Sequence, residues 1–358
     1  MPYELILNKT LRIVKHFSDR ILRSPQQSAV ITYSPAYTLV PTYECFNRCT
    51  YCNFRKEPGQ DKWLSLEDAK QRLLEQRDRG ICEVLLLSGE VHPHSPRRAA
   101  WLQRLIDLAE LALEMGFLPH TNAGPLSREE MTALQKVNVS LGLMLEQLTP
   151  RLQQTVHRLA PSKVPQLRLQ QLEQAGELGI PFTTGLLLGI GETADDRIAT
   201  LEAIAACHNR WGHIQEVILQ PHVPGSQQAV TLPSFPVEDL IAMVAIARQI
   251  LPASITIQVP PNLLNKPDYL TACLAAGARD LGGIVPRDEV NPDYEHLDLA
   301  ELHLVLARQG WQLQPRLPVY PAWIACLPDH LQETVAPWLD RQNCPNVIAE
   351  RRTVERSP

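Results

Sequence analysis

The sequence predicts an α/β protein folded as a TIM-type (β/α)8 barrel with an N-terminal helix and a C-terminal extension. The chain of 358 residues contains eight short apolar stretches that alternate with segments of helical periodicity. This alternation favours parallel strands joined by right-handed crossovers, and closure into a barrel pairs all eight strands. Polar or small residues follow most of the stretches, as expected where the carboxyl ends of barrel strands carry the functional site.

The predicted strands are short and rich in aliphatic side chains, which is typical of strands buried on both faces. In chain order they cover residues 36–40, 83–87, 117–121, 139–145, 181–188, 216–219, 255–259 and 280–284.

The helices between them are predicted from periodicity and from end signals. Ser65, Ser127 and Thr193 each stand three positions before an acidic residue, which is the arrangement of a capping box. Gly80 and Gly116 stop the helices that precede them. Helices are predicted over residues 9–23, 65–79, 96–115, 166–178, 193–208, 237–250, 265–276 and 298–309, with a short one after residue 127.

These elements divide the chain into three parts. Residues 1–35 form an N-terminal helical extension, residues 36–295 form the barrel, and residues 296–358 form a C-terminal helix and tail that pack on the barrel.

The composition excludes several classes of protein. The formal net charge is -5 and no basic stripe is present, so a nucleic acid is not an expected partner. No apolar run reaches the ~20 residues of a membrane helix, and the N-terminus lacks a signal-peptide pattern. We therefore expect a cytoplasmic protein with reduced thiols.

Three of the eight cysteines lie within the segment Cys45-Phe-Asn-Arg-Cys49-Thr-Tyr-Cys52. Thiolates at this spacing can converge on one soft metal centre. Because an iron–sulfur cluster usually has four Cys ligands, three would leave one iron of a 4Fe–4S cluster open to a small ligand. The segment follows the first strand, which places it at the functional end of the barrel. Cys82, Cys207, Cys273, Cys326 and Cys344 show no ligand spacing, so no second cluster is predicted.

Two other uses of the three cysteines stay open. They could form a structural zinc site with a distant His, in a barrel that serves as a binding protein, or they could belong to a disulfide framework.

Cys45, Cys49, Tyr51 and Cys52 resemble the Cys-x3-Cys-x-aromatic-Cys signature of radical S-adenosylmethionine (SAM) enzymes. The resemblance implies a barrel of the radical SAM kind in which these cysteines hold one catalytic 4Fe–4S cluster. It also implies that SAM binds the open iron, with Tyr51 beside it, and is cleaved to methionine and a 5′-deoxyadenosyl radical.

The same resemblance suggests residues that contact SAM. Ser88-Gly89-Glu90 resembles the Gly-Gly-Glu segment of the family, whose backbone contacts the methionine amino group. Glu146 resembles a carboxylate near the ribose or amino group, and the motif from Gly185 through Gly189 to Glu192 resembles one along the adenine. Asn122 joins this group at its strand end, and Arg168 could pair with the carboxylate. An ordinary turn, a solvated Glu146 and a helix-surface Arg168 are the alternatives.

The chain as a whole resembles the family of 7,8-didemethyl-8-hydroxy-5-deazariboflavin (FO) synthases, in its CofG-type form. The matching segments are Tyr33-Ser-Pro-Ala-Tyr-Thr, Cys49-Thr-Tyr-Cys-Asn-Phe54, Leu87-Ser-Gly-Glu90, His120-Thr-Asn-Ala-Gly-Pro125, His157-Arg-Leu-Ala-Pro-Ser-Lys163, Pro260-Pro-Asn-Leu263 and Gly282-Gly-Ile-Val-Pro-Arg-Asp-Glu-Val-Asn-Pro292. Gln220-Pro-His222 and Val285 depart from the family pattern.

This resemblance implies a lyase of deazaflavin biosynthesis. A CofH-type partner would join the hydroxybenzyl group of tyrosine to 5-amino-6-(D-ribitylamino)uracil. The radical would abstract hydrogen from that adduct, which would cyclise and lose ammonia to give FO, and an electron donor would reduce the cluster. The alternatives are the tyrosine-handling CofH-type enzyme itself and another radical SAM enzyme. A biotin-synthase-like sulfur inserter would need an auxiliary cluster.

Overall fold

Eight parallel strands close into a barrel in the computed structural model, which describes residues 29–264, 266–295 and 298–343. Neighbouring strands pair in sequence order from β2 to β8, and β1 pairs with both β8 and β2 to close the ring. The strands are β1 (Ala29–Leu39), β2 (Glu83–Leu87), β3 (Leu118–Asn122), β4 (Ser140–Gly142), β5 (Phe182–Leu188), β6 (Ile214–Pro221), β7 (Thr256–Gln258) and β8 (Asp280–Ile284). The predicted barrel is confirmed.

Helices follow the strands on the outside of the barrel. They are α1 (Leu66–Leu74), α2 (Arg98–Glu114), α3 (Arg128–Gln135), α4 (Pro165–Glu177), α5 (Ala194–Trp211), α6 (Val237–Ile250), α7 (Pro267–Ala276) and α8 (Leu299–Arg308). Capping boxes at Ser127 and Thr193 start α3 and α5, as predicted. Helix α1 ends before the predicted residue 79, because Gln76 and Arg79 donate hydrogen bonds to carbonyls only three residues back.

The first strand begins at Ala29, earlier than the predicted residue 36, because its N-terminal half has a partner that the sequence analysis missed. Residues Ala29–Tyr33 pair in parallel with β9 (Trp311–Pro315), while residues Ala36–Leu39 pair with β2. A last helix, α9 (Asp329–Asn343), was also not predicted. The predicted helix over residues 9–23, and Cys344, lie outside the described residues.

The segment after β9 covers the N-terminal end of the barrel. Its apolar side chains pack with residues of the β2–β4 region in one cluster: Cys82, Leu118, Val139, Leu317, Val319, Trp323, Leu327, Leu331 and Val335. Backbone carbonyl oxygen of Pro318 accepts hydrogen bonds from Ser140 Oγ at 2.7 Å and from Gln215 Nε2 at 2.8 Å. The segment after β9, which is called the plug below, therefore closes the end of the barrel opposite the cysteine segment.

The inside of the barrel stays open. Barrels of this type are usually filled by branched aliphatic residues, but glycines occupy several inward positions here. A side chain at Gly142 would put its Cβ 2.8 Å from Nε2 of His120, and one at Gly185 would lie 2.4 Å from the carbonyl oxygen of Ile218. A cavity of about 370 Å³ runs along the barrel as a result.

One arginine from the plug neutralises buried acids inside the barrel. Arg316 binds Asp280 through Nε at 2.6 Å and Nη2 at 2.8 Å, and its Nη2 lies 2.9 Å from Glu216 Oε1. Burial raises the pKa of Glu216 well above its ordinary value. Burial also opposes ionisation of Asp280, yet the Arg316 guanidinium holds the pKa of that carboxyl below its usual value.

Of the described helices, none is long and apolar enough to cross a membrane.

Replacing Arg316 by Met should lower the free energy of unfolding by about 3–5 kcal/mol, because Asp280 and Glu216 would remain buried without their cation. The midpoint of urea unfolding measures this loss. The matched change Arg308→Met, on the exposed surface of α8, should stay within about 0.5 kcal/mol of the original protein. Equal midpoints for the two variants would contradict the assigned role of Arg316.

Candidate active site

The three cysteines lie in a closed loop between β1 and α1. The loop is defined here as the cysteine loop, residues 44–56, because its ends meet in a bridge between Glu44 and Lys56. The Cys45 amide donates to the Lys56 carbonyl at 3.1 Å, and the Cys52 amide donates to the Cys49 carbonyl at 3.2 Å. These bonds close the loop, and its three thiols are near enough to influence one another electrostatically.

Three backbone hydrogen bonds to two neighbouring segments hold the cysteine loop. Phe46 N donates to the Glu90 carbonyl at 3.0 Å, Arg48 N to the Leu159 carbonyl at 2.7 Å, and Thr50 N to the Val156 carbonyl at 3.1 Å. The position of the loop therefore depends on the segments after β2 and β4.

Gly89 allows the closest of these approaches. Its amide donates to the Thr42 carbonyl at 2.8 Å, and a Cβ at this position would lie 2.1 Å from the Glu44 carbonyl oxygen. No side chain fits there, so glycine is required by the contact between the two backbones.

A largely buried carboxylate links the cysteine loop to α4. Glu90 accepts hydrogen bonds from Asn47 Nδ2 at 2.9 Å, from Ser162 Oγ, and from Arg168 Nη2 at 3.0 Å. Asn47 Nδ2 also lies 3.7 Å from the sulfur of Cys45. Only 2% of Arg168 is exposed, so it is not a helix-surface residue. Its guanidinium also donates to the Met144 carbonyl at 2.6 Å, which ties α4 to the end of β4.

Glu146 stands in a backbone conformation that is rare for a residue with a side chain, with φ 64°. Its side chain is buried and forms an ion pair of 2.5 Å with Lys163 Nζ. Burial opposes the charge on Glu146, but Lys163 and Arg168 hold the pKa of the carboxyl below its usual value. Glu146 is therefore not a solvated loop residue but an ionised group of the cavity wall.

The structure brings most of the predicted site residues to one cavity. Its lining includes Tyr51, Cys52, Ser88, Glu90, Asn122, Glu146 and Arg168. Tyr51 is fixed by a contact of 2.8 Å between its hydroxyl and His157 Nε2. Cys45 and Cys49 are not among the lining residues, and burial raises their pKa values to about 11 and about 12.

Two predicted glycines do not line the cavity. Gly89 supports the cysteine loop from outside. Gly189, with φ 91°, packs against Phe235, and its amide donates to Glu192 Oε1 at 2.7 Å. The carboxylate of Glu192 therefore forms its hydrogen bond within the loop that follows β5.

Sequence reasoning missed several lining residues, among them Lys163, Asn53, Glu83 and Glu216. Glu83 and Glu216 each start a predicted strand that is otherwise apolar, and this was the available signal. Asn53 follows Cys52 directly. Its Nδ2 donates to Asp293 Oδ2 at 3.0 Å, and its Oδ1 accepts from the backbone amide of Gln227 at 2.7 Å; these two contacts are called the Asn53 clasp. These partners are distant in sequence, so no local pattern indicated the clasp.

The donor set suits an iron–sulfur cluster. Three thiols on one short loop are near enough to influence each other electrostatically, as Cys45, Cys49 and Cys52 do. Within the described residues, no three His, Cys, Asp or Glu side chains converge on the position of a single metal ion. A cluster spreads its cysteine ligands over different irons, so it needs no such convergence. Burial keeps the free thiols of Cys45 and Cys49 neutral, and a bound cationic centre would favour the thiolates.

Comparison with known proteins identifies the class. The radical SAM superfamily model matches residues 39–204, from the end of β1 into α5. The FeFe-hydrogenase maturase HydG from Carboxydothermus hydrogenoformans is similar in fold, with a TM-score of 0.65, 17% identity, and coverage of 93% of this chain and 92% of that chain. Methylornithine synthase has a TM-score of 0.61 at 14% identity, covering 88% and 90%. The barrel and the matched segment thus define a radical SAM enzyme.

Relatives named 7,8-didemethyl-8-hydroxy-5-deazariboflavin synthase are similar over nearly their whole length. The one from Synechococcus elongatus is 77% identical over 330 residues, covering 92% of this chain and 98% of the relative. The one from Thermosynechococcus vestitus is 66% identical over 305 residues, covering 85% and 97%. The chain belongs to this family of radical SAM enzymes, and the superfamily uses a 4Fe–4S cluster and SAM.

Replacing Gly89 by Ala should destabilise the protein by about 1–3 kcal/mol, because the added methyl group has only backbone to displace. The displaced cysteine loop should also be cut faster by trypsin at Arg48, which limited proteolysis with mass spectrometry would locate.

The control is Gly283→Ala, whose Cβ would meet only Ala36 Cβ, at 3.3 Å. It should leave cleavage at Arg48 unchanged. Cleavage of the Gly89 variant at the original rate would mean that the loop does not depend on this contact.

Proposed function

We propose that this chain is the CofG-type subunit of FO synthase. Its substrate would be 5-amino-5-(4-hydroxybenzyl)-6-(D-ribitylimino)-5,6-dihydrouracil, and its products FO and ammonia. The observation that carries the proposal is the opening of Tyr51 and Cys52 onto the barrel cavity, in a chain with 77% identity to a protein of that name.

Cys45, Cys49 and Cys52 would hold the cluster and leave one iron for SAM. When bound, the reduced cluster and SAM supply a 5′-deoxyadenosyl radical that takes a hydrogen atom from the substrate. The positive side chains nearest the loop suit a zwitterionic ligand, because Lys163 and Arg168 line the cavity beside the acids Glu90 and Glu146.

The ion pairs at this rim keep charged groups in place before any ligand arrives. Arg168 is held by Glu90 and by the Met144 carbonyl, so it presents its remaining N–H groups in a fixed direction. Lys163 is held by Glu146 and lies near Cys49. We assign Arg168 and Lys163 to the carboxylate of SAM and Glu146 to its amino group or ribose. Ser88 and Asn122 complete this rim.

The proposed reaction also requires that water is kept out of the cavity, since the radical must meet only its substrate. The Asn53 clasp connects the cysteine loop to Asp293 and Gln227 and fixes Asn53 in the wall of the cavity. Asn262 donates to Asp288 Oδ2 at 2.8 Å, and both residues line the same cavity.

A CofH-type enzyme would supply the tyrosine–diaminouracil adduct, and a separate electron donor would reduce the cluster. A cytoplasmic location suits both the oxygen-sensitive cluster and the reduced cysteines.

Replacing Cys45, Cys49 and Cys52 together by Ala should abolish cluster binding. The reconstituted original protein should contain about four irons per chain, and the triple variant almost none. Iron analysis and the visible absorbance spectrum measure this. Cys326→Ala, at an exposed position outside the loop, is the matched control and should keep the full iron content. A triple variant with about four irons would place the cluster elsewhere.

The activity test supplies the reduced protein and SAM with the purified adduct and follows the fluorescence of the deazaflavin. We expect FO, ammonia, methionine and 5′-deoxyadenosine from this chain. The CofH-type partner alone should form no FO. Formation of the adduct from tyrosine by this chain would instead assign it the partner's role. Release of 5′-deoxyadenosine without FO would keep the radical SAM class and reject the substrate.

A further inference from the structure

The cavity has a second end, far from the cysteine loop. We define its floor as Glu83, His120, Thr183, Glu216 and Arg316, which line the same cavity between the N-terminal halves of the strands. Glu83 starts β2, and Ser88 follows the last residue of that strand. At ~3.3 Å per residue, the floor lies roughly 15 Å from the rim that faces the cysteines.

Most charged groups of the floor are already paired with one another within the fold. Arg316 pairs with Asp280 and Glu216, and Glu216 Oε1 also accepts from the Tyr320 hydroxyl at 3.2 Å. Thr183 Oγ1 reaches the other Glu216 oxygen at 3.4 Å. These groups have little capacity left for a ligand, so the remaining candidates are His120 and Glu83.

The tautomer of His120 follows from its partner. Ser140 Oγ donates its only hydrogen to the Pro318 carbonyl at 2.7 Å, since a carbonyl can only accept. The contact of 2.6 Å between His120 Nδ1 and Ser140 Oγ therefore needs the hydrogen on Nδ1. Nε2 then carries a lone pair, and it has no hydrogen-bond partner within the described part of the chain. Burial and the Arg316 charge lower the pKa of His120 to about 3, so the ring is neutral.

Glu83 adds a second acceptor one strand away. In the register of β2 and β3, His120 lies opposite Leu85, the next inward residue after Glu83. The ion pairs of Arg316 go to Asp280 and Glu216, so among the described acids Glu83 is not one of its direct partners. Burial raises the pKa of Glu83. A carboxyl group buried without a cation partner costs stability, and a titratable group in such a setting inside a cleft is a candidate for ligand binding.

We propose that this floor is a subsite for a chain of hydroxyl groups, with His120 Nε2 and Glu83 accepting from neighbouring O–H groups. The inference rests on the proposed function, in which the dihydrouracil substrate and the deazariboflavin product FO both carry a ribityl arm, and that arm is such a chain. The arm points down the barrel, and the ring system then lies above it, between the floor and Cys52. The ribose of SAM offers the same chemistry, but SAM bound at the rim would have to reach across the depth of the barrel.

The test measures binding of two fluorescent probes to the reconstituted enzyme with SAM and without reductant. The probes are FO and its analogue with a methyl group in place of the ribityl arm. The original protein should bind FO at least about tenfold more tightly, from the hydrogen bonds of the arm.

The variants separate the acceptor from the fold. His120→Asn keeps an amide at the Nδ1 position for Ser140 but lacks the Nε2 acceptor, so FO binding should weaken about tenfold and analogue binding should not change. His120→Gln can place its oxygen near Nε2 and should recover part of the loss. Glu83→Met should weaken FO binding similarly while keeping or raising the thermal midpoint. His303→Asn, exposed on α8, is the control.

Equal affinity for FO and the analogue in the original protein, or equal weakening of both in His120→Asn, would overturn the subsite. FO production in the activity assay would then leave the proposed function standing. Weaker SAM binding in His120→Asn with unchanged FO binding would assign the floor to SAM and also overturn the proposal. Absence of binding for both probes, together with absence of turnover, would overturn the proposed function and the subsite with it.

Discussion

The contact between two backbones at Gly89 is the constraint on which the site depends. The loop after β2 presses on the residues just before Cys45, and glycine alone permits that distance. The cysteine loop has no regular secondary structure, so its shape comes from such neighbours. Glu90, next in the chain, then extends the contact to Asn47 on one side and Arg168 on the other. The position of the thiols is thus set by a strand end and a helix, which are rigid parts of the barrel.

Charge compensation divides the barrel into a rim and a floor. At the rim, Lys163 and Arg168 face Glu146 and Glu90, while at the floor Arg316 faces Asp280 and Glu216. Burying so many charged and acidic groups is costly unless each has a partner. The partners come from different elements, so the site is complete only when the barrel is closed. The glycines at inward positions keep the space between the two layers open for ligands.

Local patterns allowed much of the fold to be predicted. Capping boxes marked the starts of α3 and α5, and the apolar stretches marked all eight barrel strands. The extension of β1 and the existence of β9 could not be predicted, because each strand depends on the other, and they are separated by most of the chain. Strand β4 is shorter than the predicted apolar run, although Leu143 and Glu146 beyond its end still donate backbone hydrogen bonds to Thr183 and Gly185 of β5.

The sequence by itself determined the alternation of strands and helices, the three cysteines after the first strand, and the polar residues at the strand ends. These features depend on periodicity and spacing over a few residues, which a linear sequence displays directly. Only the tertiary structure decided that Arg168 is buried against Glu90, that Gly189 stays out of the cavity, and that Glu83 and His120 face into it. The reason is physical: hydrogen bonds and ion pairs between distant segments exist only after the barrel has brought those segments together.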